Sequence, residues 1–291
     1  MSNQRQLWQS QNFIKRPTLV DDLLGMTSID STDLVIEIGP GKGIITEKLV
    51  KRAKHVIAVE FDAQLFHHLE LSSVAQKNNL SIVFADFLNW QLPKQKYKVF
   101  SNIPFNMTAD IVNRITDLSN PSIDSYLIIQ EAAAYRFIGF PFEMETLKST
   151  LLKLDYEVNI ITSIPSHEFT PKPKVNVVLA RFRKYPNPII PKQYYQEFRD
   201  FIVFGYTQWQ PSALDSFKKI FTESQRRIIA ERYELASLKP RELSLDQWLG
   251  MFTSYMTYVP SNKKELIRGS EKRLLHQQRG LLKQYRTREK K

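Results

Sequence analysis

From about residue 34 the chain alternates short β-branched apolar runs with stretches whose apolar residues recur every three or four positions, the pattern of parallel βαβ units. Leu34-Val35-Ile36-Glu37-Ile38 reads as a buried strand, followed by a glycine-rich turn and a helix over about Ile44 to Arg52. His55 to Glu60 predicts a second strand, Asp62 to Ser73 a helix, and Leu80 to Ala85 a third strand. A fourth, Tyr97 to Ser101, runs into Asn102-Ile103-Pro104-Phe105 and a helix from Thr108 to about Leu118. Ser125 to Gln130 predicts a fifth strand, and Tyr156 to Ser163 with Asn176 to Arg183 predict a closing pair. Seven strands with interleaved helices imply an open α/β sheet over residues 1–184.

Pro186, Pro188 and Pro191 then continue neither strand nor helix and mark a boundary. Beyond it Tyr194, Phe198, Phe201, Ile202 and Tyr206 recur at helical spacing, as do Trp248, Leu249, Phe252 and Met256. A small all-α domain over 191–261 is expected, with the aromatic stretch Tyr194 to Trp209 in its core.

Composition narrows the class. The 291 residues contain no cysteine, which removes disulfide scaffolds, thiolate zinc sites and cysteine nucleophiles. No stretch reaches the roughly 18 apolar residues of a membrane helix, and Met1 to Arg5 lacks a signal-peptide core, so a cytoplasmic protein without a membrane partner is expected. His67 and His68 sit on a predicted surface helix with no partner at ligand spacing, and no metal site is expected.

The net charge of +11 is unevenly placed. Residues 262–291 carry eleven basic against three acidic side chains, a net of +8, leaving +3 on the first 261 residues. That tail reads either as a solvated end or as an arm tracking phosphates through Lys263, Lys264, Arg268, Lys272 and Arg273.

Candidate chemistry starts at Glu37-Ile38-Gly39-Pro40-Gly41-Lys42-Gly43, between a predicted strand and a predicted helix. A glycine-rich turn there lets backbone approach a ligand closely. A phosphate-binding P-loop would need Ser or Thr after Lys42, where Gly43 stands; a dinucleotide fingerprint would need its third glycine one position later. Glu60, 23 residues after Glu37, ends the second strand at the offset of a ribose-binding carboxylate, and Asp86 follows the third strand, placed for an adenine amino group. The Glu-x-Gly-x-Gly-x-Gly pattern resembles motif I of the S-adenosylmethionine (SAM) dependent methyltransferases. SAM is therefore the cofactor that Glu37, Gly39, Gly41, Gly43, Glu60 and Asp86 are expected to hold.

Asn102-Ile103-Pro104-Phe105 resembles motif IV of the amino methyltransferases, which act on exocyclic amines of bases. The segments Ser10-Gln11-Asn12-Phe13-Ile14 and Phe169-Thr170-Pro171-Lys172-Pro173-Lys174-Val175-Asn176 resemble the flanking signatures of the ribosomal RNA adenine N6-dimethyltransferases, with spellings closer to the Erm than to the KsgA branch. The resemblance covers about residues 7–261 and implies a Rossmann-like seven-stranded catalytic domain followed by the helical domain and the tail. It also implies that Gln11, Asn12 and Asn102 touch SAM. The Asn102 side-chain oxygen and the Ile103 carbonyl would accept the target amine's hydrogens, with Pro104 fixing the backbone. Phe105 and Phe169 would sandwich the flipped base, and Lys172 and Lys174 would lie near the RNA backbone. The expected partner is an unpaired adenine in the peptidyl-transferase loop of 23S rRNA, and the expected consequence is macrolide, lincosamide and streptogramin B resistance. The chain is expected to act as a monomer. A KsgA-like enzyme on 16S rRNA, and a non-catalytic nucleic-acid-binding protein on the same fold, stand as the alternatives.

Overall fold

Each apolar run predicted as a strand forms one. In the computed structural model, which describes residues 12–235 and 237–279, the strands are β1 (Phe13–Ile14), β2 (Leu34–Ile38), β3 (His55–Glu60), β4 (Leu80–Phe84), β5 (Lys98–Asn102), β6 (Asp124–Gln130), β7 (Tyr156–Ile164), β8 (Phe169–Thr170) and β9 (Val177–Lys184). β2 through β7 and β9 make a seven-stranded sheet in the order β4-β3-β2-β5-β6-β9-β7. The first five are parallel, and β9 runs antiparallel to both β6 and β7. Every residue of β2 is buried, because helices cover both faces of such a sheet and leave no polar side. β1 and β8 pair separately as a short antiparallel ribbon.

The helices accompanying the sheet are α1 (Pro17–Gly25), α2 (Thr46–Leu49), α3 (Ala63–Glu70), α4 (Thr108–Ile115) and α5 (Glu131–Ile138). Pro17 at the start of α1 fits because the first helical N–H has no intrahelical partner to lose. Asp62 caps α3, its carboxylate accepting from the Gln64 and Leu65 N–H groups. The helix expected over Ile44 to Arg52 is α-helical only over the four residues of α2, the rest being turn.

The chain divides into two compact units, one comprising residues up to Tyr135 with Tyr156–Pro186, the other Arg136–Asp155 with the chain from Asn187 onward. The sequence places all of 1–184 in the sheet domain; the structure moves Arg136–Asp155 to the helical unit. Packing gives the reason: within that segment Leu147, Leu151 and Leu154 belong to the aromatic core of the second unit. Its helices are α6 (Leu147–Leu152), α7 (Lys192–Thr207), α8 (Ala213–Ser216), α9 (Glu223–Arg232), α10 (Leu245–Tyr258), α11 (Ser261–Lys264) and α12 (Ser270–Arg279). Phe198 and Phe201 of α7 meet Phe252 of α10 at ring-centroid distances of 4.8 and 5.6 Å, and Phe201 stacks on Phe217 at 4.4 Å. Burying each such ring contributes about 1.5–3 kcal/mol. Ser244 with Gln247, and Thr222 with Gln225, form reciprocal capping boxes that start α10 and α9.

Two sequence expectations fail in this unit. Trp209, expected in the core, is 94% exposed and has a φ of 51°, because α7 ends at Thr207 and its apolar face ends with it. Residues 262–279 are not a separable tail. Ile267 is fully buried in the second core, and the Asp200 carboxylate of α7 accepts from the Gly269 and Glu271 N–H groups at 2.8 and 2.9 Å. Arg199 grips Glu271 through two guanidinium nitrogens. The segment is basic in sum yet docks through one buried isoleucine and one acidic residue, which a charge count averages away.

Candidate functional site

The order β4-β3-β2-β5-β6 reverses direction between β2 and β5, and in open α/β sheets ligands bind outside the carboxyl ends of the strands at such a switch point. The β2–β5 ladder pairs Val35 with Lys98 and Ile36 with Val99. Further along, Ser101 bridges the strands with its side chain: its hydroxyl donates to the Ile38 carbonyl and accepts from the Ile38 N–H at 3.2 Å. No sequence motif singles out Ser101; its signal is a lone hydroxyl in a buried strand.

The glycine turn leaves β2 at this point. Gly39, Gly41 and Gly43 have φ of 64°, 56° and 82°, the left-handed region open to glycine. The turn is pinned by Gly39 N–H on the Val59 carbonyl at 2.9 Å and Gly43 N–H on the Pro40 carbonyl at 3.0 Å. A Cβ at Gly43 would stand 2.7 Å from Leu69 Cδ1 and would make that side-chain end shift, but it is the φ of 82° that calls for glycine there.

The carboxylates divide into two roles. Glu37 is 1% exposed and lies beneath the turn, where its Oε2 accepts from Thr46 Oγ1 at 2.7 Å. Its Oε1 is buried without a hydrogen-bond partner among the described residues. Burial pushes its carboxyl up to about 8, against the opposing pull of the Thr46 bond, with Glu60 adding to the rise. Glu37 thus ties the strand end to Thr46 just past the turn with one oxygen and keeps the other without a protein partner among the described residues. Glu60, at the end of β3, accepts from Gly41 N–H at 3.1 Å and from the Phe61 and Asp62 N–H groups at 2.8 and 2.9 Å. Burial raises its pKa, and those three backbone donors oppose the rise. Asp86 accepts from Leu88 N–H at 3.0 Å and Asn89 Nδ2 at 2.7 Å. A carboxylate offers about four acceptor positions, so Glu60, 2% exposed and bonded to three N–H groups, keeps about one, and Asp86 keeps about two. Glu60 beside the glycine turn and Asp86 past the end of the neighbouring strand fit an adenosyl ligand such as SAM better than a phosphate, which like charges would repel.

Asn102 is the last residue of β5, and its Nδ2 donates to the Asn12 carbonyl at 2.7 Å. That bond settles which way the amide points: nitrogen toward Asn12, and Oδ1 on the opposite side as an acceptor. The Ile103 side chain is buried, Pro104 holds φ at −60°, and Phe105 is partly buried against the sheet unit's core. Lys42 stands with its Nζ 6.0 Å from the Phe13 ring centroid.

Phe169 departs from expectation. It is 2% exposed, sits in the core cluster and pairs across from Ile14, so it has no open face for a base. Lys172 and Lys174 line a cleft of about 570 Å³ with Ser163, Ser166, Glu131 and Asn176. Of the basic residues expected on RNA beyond 262, Lys263 and Lys264 donate to the carbonyls of Ile220 and Met256, Arg268 pairs with Glu265, and Arg273 donates to the carbonyls of Arg268 and Leu266. Lys263 and Lys264 are half-buried, while Arg268, Lys272 and Arg273 are exposed. Gln11 lies outside the described residues. Among the described residues no group of three His, Asp or Glu could hold a metal ion, and no helix is long and apolar enough to cross a membrane.

Comparison with known proteins agrees with this geometry. Residues 2–256 match the family described as ribosomal RNA adenine dimethylase. An rRNA adenine N-6-methyltransferase of Staphylococcus aureus is 32% identical over 257 residues, covering 88% of this chain and 99% of that protein. One of the same name from Limosilactobacillus reuteri is 28% identical over equal shares. The crystal structure of the 23S rRNA methyltransferase ErmE superposes with a TM-score of 0.77 at 19% identity, covering 84% of this chain and all of that one. A dimethyladenosine transferase from Plasmodium falciparum gives 0.66 at 18%, covering 84% and 97%. At such identities the two structures establish the fold.

Proposed function

We propose that this chain, which belongs to the ribosomal RNA adenine dimethylase family, methylates a single unpaired adenine in the peptidyl-transferase loop of 23S rRNA. Family membership establishes the reaction, SAM-dependent methylation of an rRNA adenine at N6. The Erm-like spellings Ser10-Gln11-Asn12-Phe13-Ile14, Asn102-Ile103-Pro104 and Lys172-Pro173-Lys174-Val175-Asn176 favour the 23S target over 16S rRNA. Methylation there would obstruct macrolide, lincosamide and streptogramin B binding.

The observation that carries the mechanism is the fixed amide of Asn102. An adenine N6 lone pair is delocalised into the ring, so the amine must be held with its hydrogens accepted before it can attack. SAM, when bound, supplies the electrophilic methyl group. Asn102 Oδ1 takes one N6 hydrogen and the Ile103 carbonyl the other, favouring a pyramidal nitrogen. An amide oxygen is too weak a base to deprotonate the amine, so its contribution is positioning and electrostatic preorganisation. Phe105 supplies the ring on which the extruded base rests, since unpairing a base already in a loop is cheap. With Phe169 buried, the base is held on one aromatic face rather than between two. Glu60 receives a ribose hydroxyl through its remaining acceptor position, Asp86 the adenine amino group, and Gly39, Gly41 and Gly43 allow the chain to approach. Lys172 and Lys174 meet phosphates from the open side of their cleft, a grip that salt weakens.

Incubating the protein with labelled SAM and naked 23S or 16S rRNA, then mapping the modified adenine, tests the substrate. Label confined to 16S rRNA would overturn the 23S reading. Asn102→Ala is expected to lower kcat about 100- to 1,000-fold while leaving the SAM Kd within about threefold. A parallel loss of SAM affinity would contradict the role given to Asn102.

A further inference from the structure

The Asn102 amide is oriented by the Asn12 carbonyl, which stands at the start of a short ribbon. Asn12 precedes β1, whose two residues pair, among the described residues, with the two residues of β8, with Ile14 buried in the core. A ribbon that short has marginal stability of its own. The chain is tied immediately after it. Lys15 N–H donates to the Glu168 carbonyl at 2.9 Å. The Arg16 guanidinium then grips the Glu168 carboxylate in a fork, Nε to Oε2 at 3.2 Å and Nη2 to Oε1 at 2.8 Å. Glu168 is the buried partner, 10% exposed at its side chain against 51% for Arg16. Arg16 Nη1 also donates to Thr18 Oγ1 at 3.3 Å, which ties the fork to the start of α1. The forked bond to Arg16 holds the Glu168 carboxyl below its usual range, with Lys15 and His167 acting in the same direction. Glu168 closes the turn Ser166–Glu168 directly before β8, so the fork joins the end of β1 to the start of β8 and leaves the ribbon one register.

We propose that the Arg16–Glu168 fork is a positioning latch for methyl transfer: it holds β1 in register on β8, which places the Asn12 carbonyl, which in turn keeps Asn102 Oδ1 facing the target amine. This rests on the reading of Asn102 as the acceptor for the N6 hydrogen. Neither Arg16 nor Glu168 touches the substrate in this arrangement. Their effect reaches the reaction through Asn102 alone.

The test uses the full chain carrying Arg16→Gln, Arg16→Lys or Glu168→Gln, each also combined with Asn102→Ala. Single-turnover methylation at saturating SAM and RNA is measured, together with Tm. Arg16→Gln and Glu168→Gln are expected to slow transfer about tenfold, the scale of a broken charge-assisted fork, with Arg16→Lys between them and the parent. In the Asn102→Ala background the same changes are expected to have no further effect, because the amide they orient is gone. A purely structural role would slow both backgrounds equally, and that result overturns the latch, as does an unchanged rate in the folded single variants. If Asn102→Ala itself transfers methyl at the parent rate, the reading of Asn102 fails; if it is slow while the latch variants are not, only the latch fails.

Discussion

Glu37→Gln isolates the cost of a carboxyl buried beneath the glycine turn. Its ordinary pKa of 4.5 rises to about 8 in the folded chain, so the fold favours the protonated form. Below pH 4.5 the group is neutral whether the chain is folded or not, and it costs the fold nothing through ionisation. Between 4.5 and about 8 the unfolded chain ionises while the folded one does not, so stability falls by up to about 1.36 kcal/mol per pH unit. Above about 8 the folded carboxyl ionises too and the decline ends. The gap between 4.5 and about 8 amounts to about 5 kcal/mol over the whole range. The glutamine side chain keeps the acceptor for Thr46 but cannot ionise, so the variant's profile loses this slope. It also places amide hydrogens where Oε1 has no partner among the described residues, at about 1–3 kcal/mol. The variant is therefore expected to be the less stable near pH 5 and the more stable near pH 9. Because the chain has two units, the readout is native-state hydrogen exchange of the Val35–Ile38 amides of β2, without SAM, from about pH 5 to 9 and corrected for intrinsic exchange. A stability difference between parent and variant that stays constant over that range would refute the reasoning.

One substitution addresses the turn and two truncations the C-terminal segment. Gly43→Ala, at a φ of 82° with its Cβ 2.7 Å from Leu69 Cδ1, is expected to raise the SAM Kd about tenfold by calorimetry, and an unchanged Kd would refute the backbone-strain argument. Removing residues 280–291, which carry five basic and one acidic side chain, is expected to weaken RNA binding and flatten its salt dependence. The log–log slope should fall by up to about 0.9 for each phosphate the segment neutralises, with the same adenine still methylated, and an unchanged slope would exclude these residues from the RNA interface. Removing everything from 262 also deletes buried Ile267 and the Arg199–Glu271 fork, so it is expected to lower the Tm of the helical unit, which the shorter truncation leaves intact.

The sheet and the position of the glycine turn are legible in the sequence because their signals are local. A parallel strand buried on both faces reads as an unbroken apolar run, as β2 does in Leu34–Ile38, and the three positive-φ residues of the turn are glycines. Spacing along the chain also places Glu60 and Asp86 at neighbouring strand ends. The motifs carry the chemistry to Asn102 because it closes a strand whose next residues are Ile103, Pro104 and Phe105. Trp209 and Phe169 escape a sequence reading for one common reason. Both are large aromatics, and whether such a ring is covered depends on what packs over it rather than on its neighbours in sequence.

By itself, then, the sequence determined the element types and the order of motifs, since hydrophobic periodicity and turn chemistry act over a few residues. The tertiary structure alone decided which strands diverge at the switch point, that Glu37 is bonded to Thr46, and that Arg136–Asp155 and residues 262–279 join the helical unit. It also decided which way the Asn102 amide points, through a carbonyl 90 residues away, and what holds that carbonyl, through an ion pair spanning 152 residues. Pairings at such separations form only after the chain has closed long loops around a shared core, so no local pattern announces them.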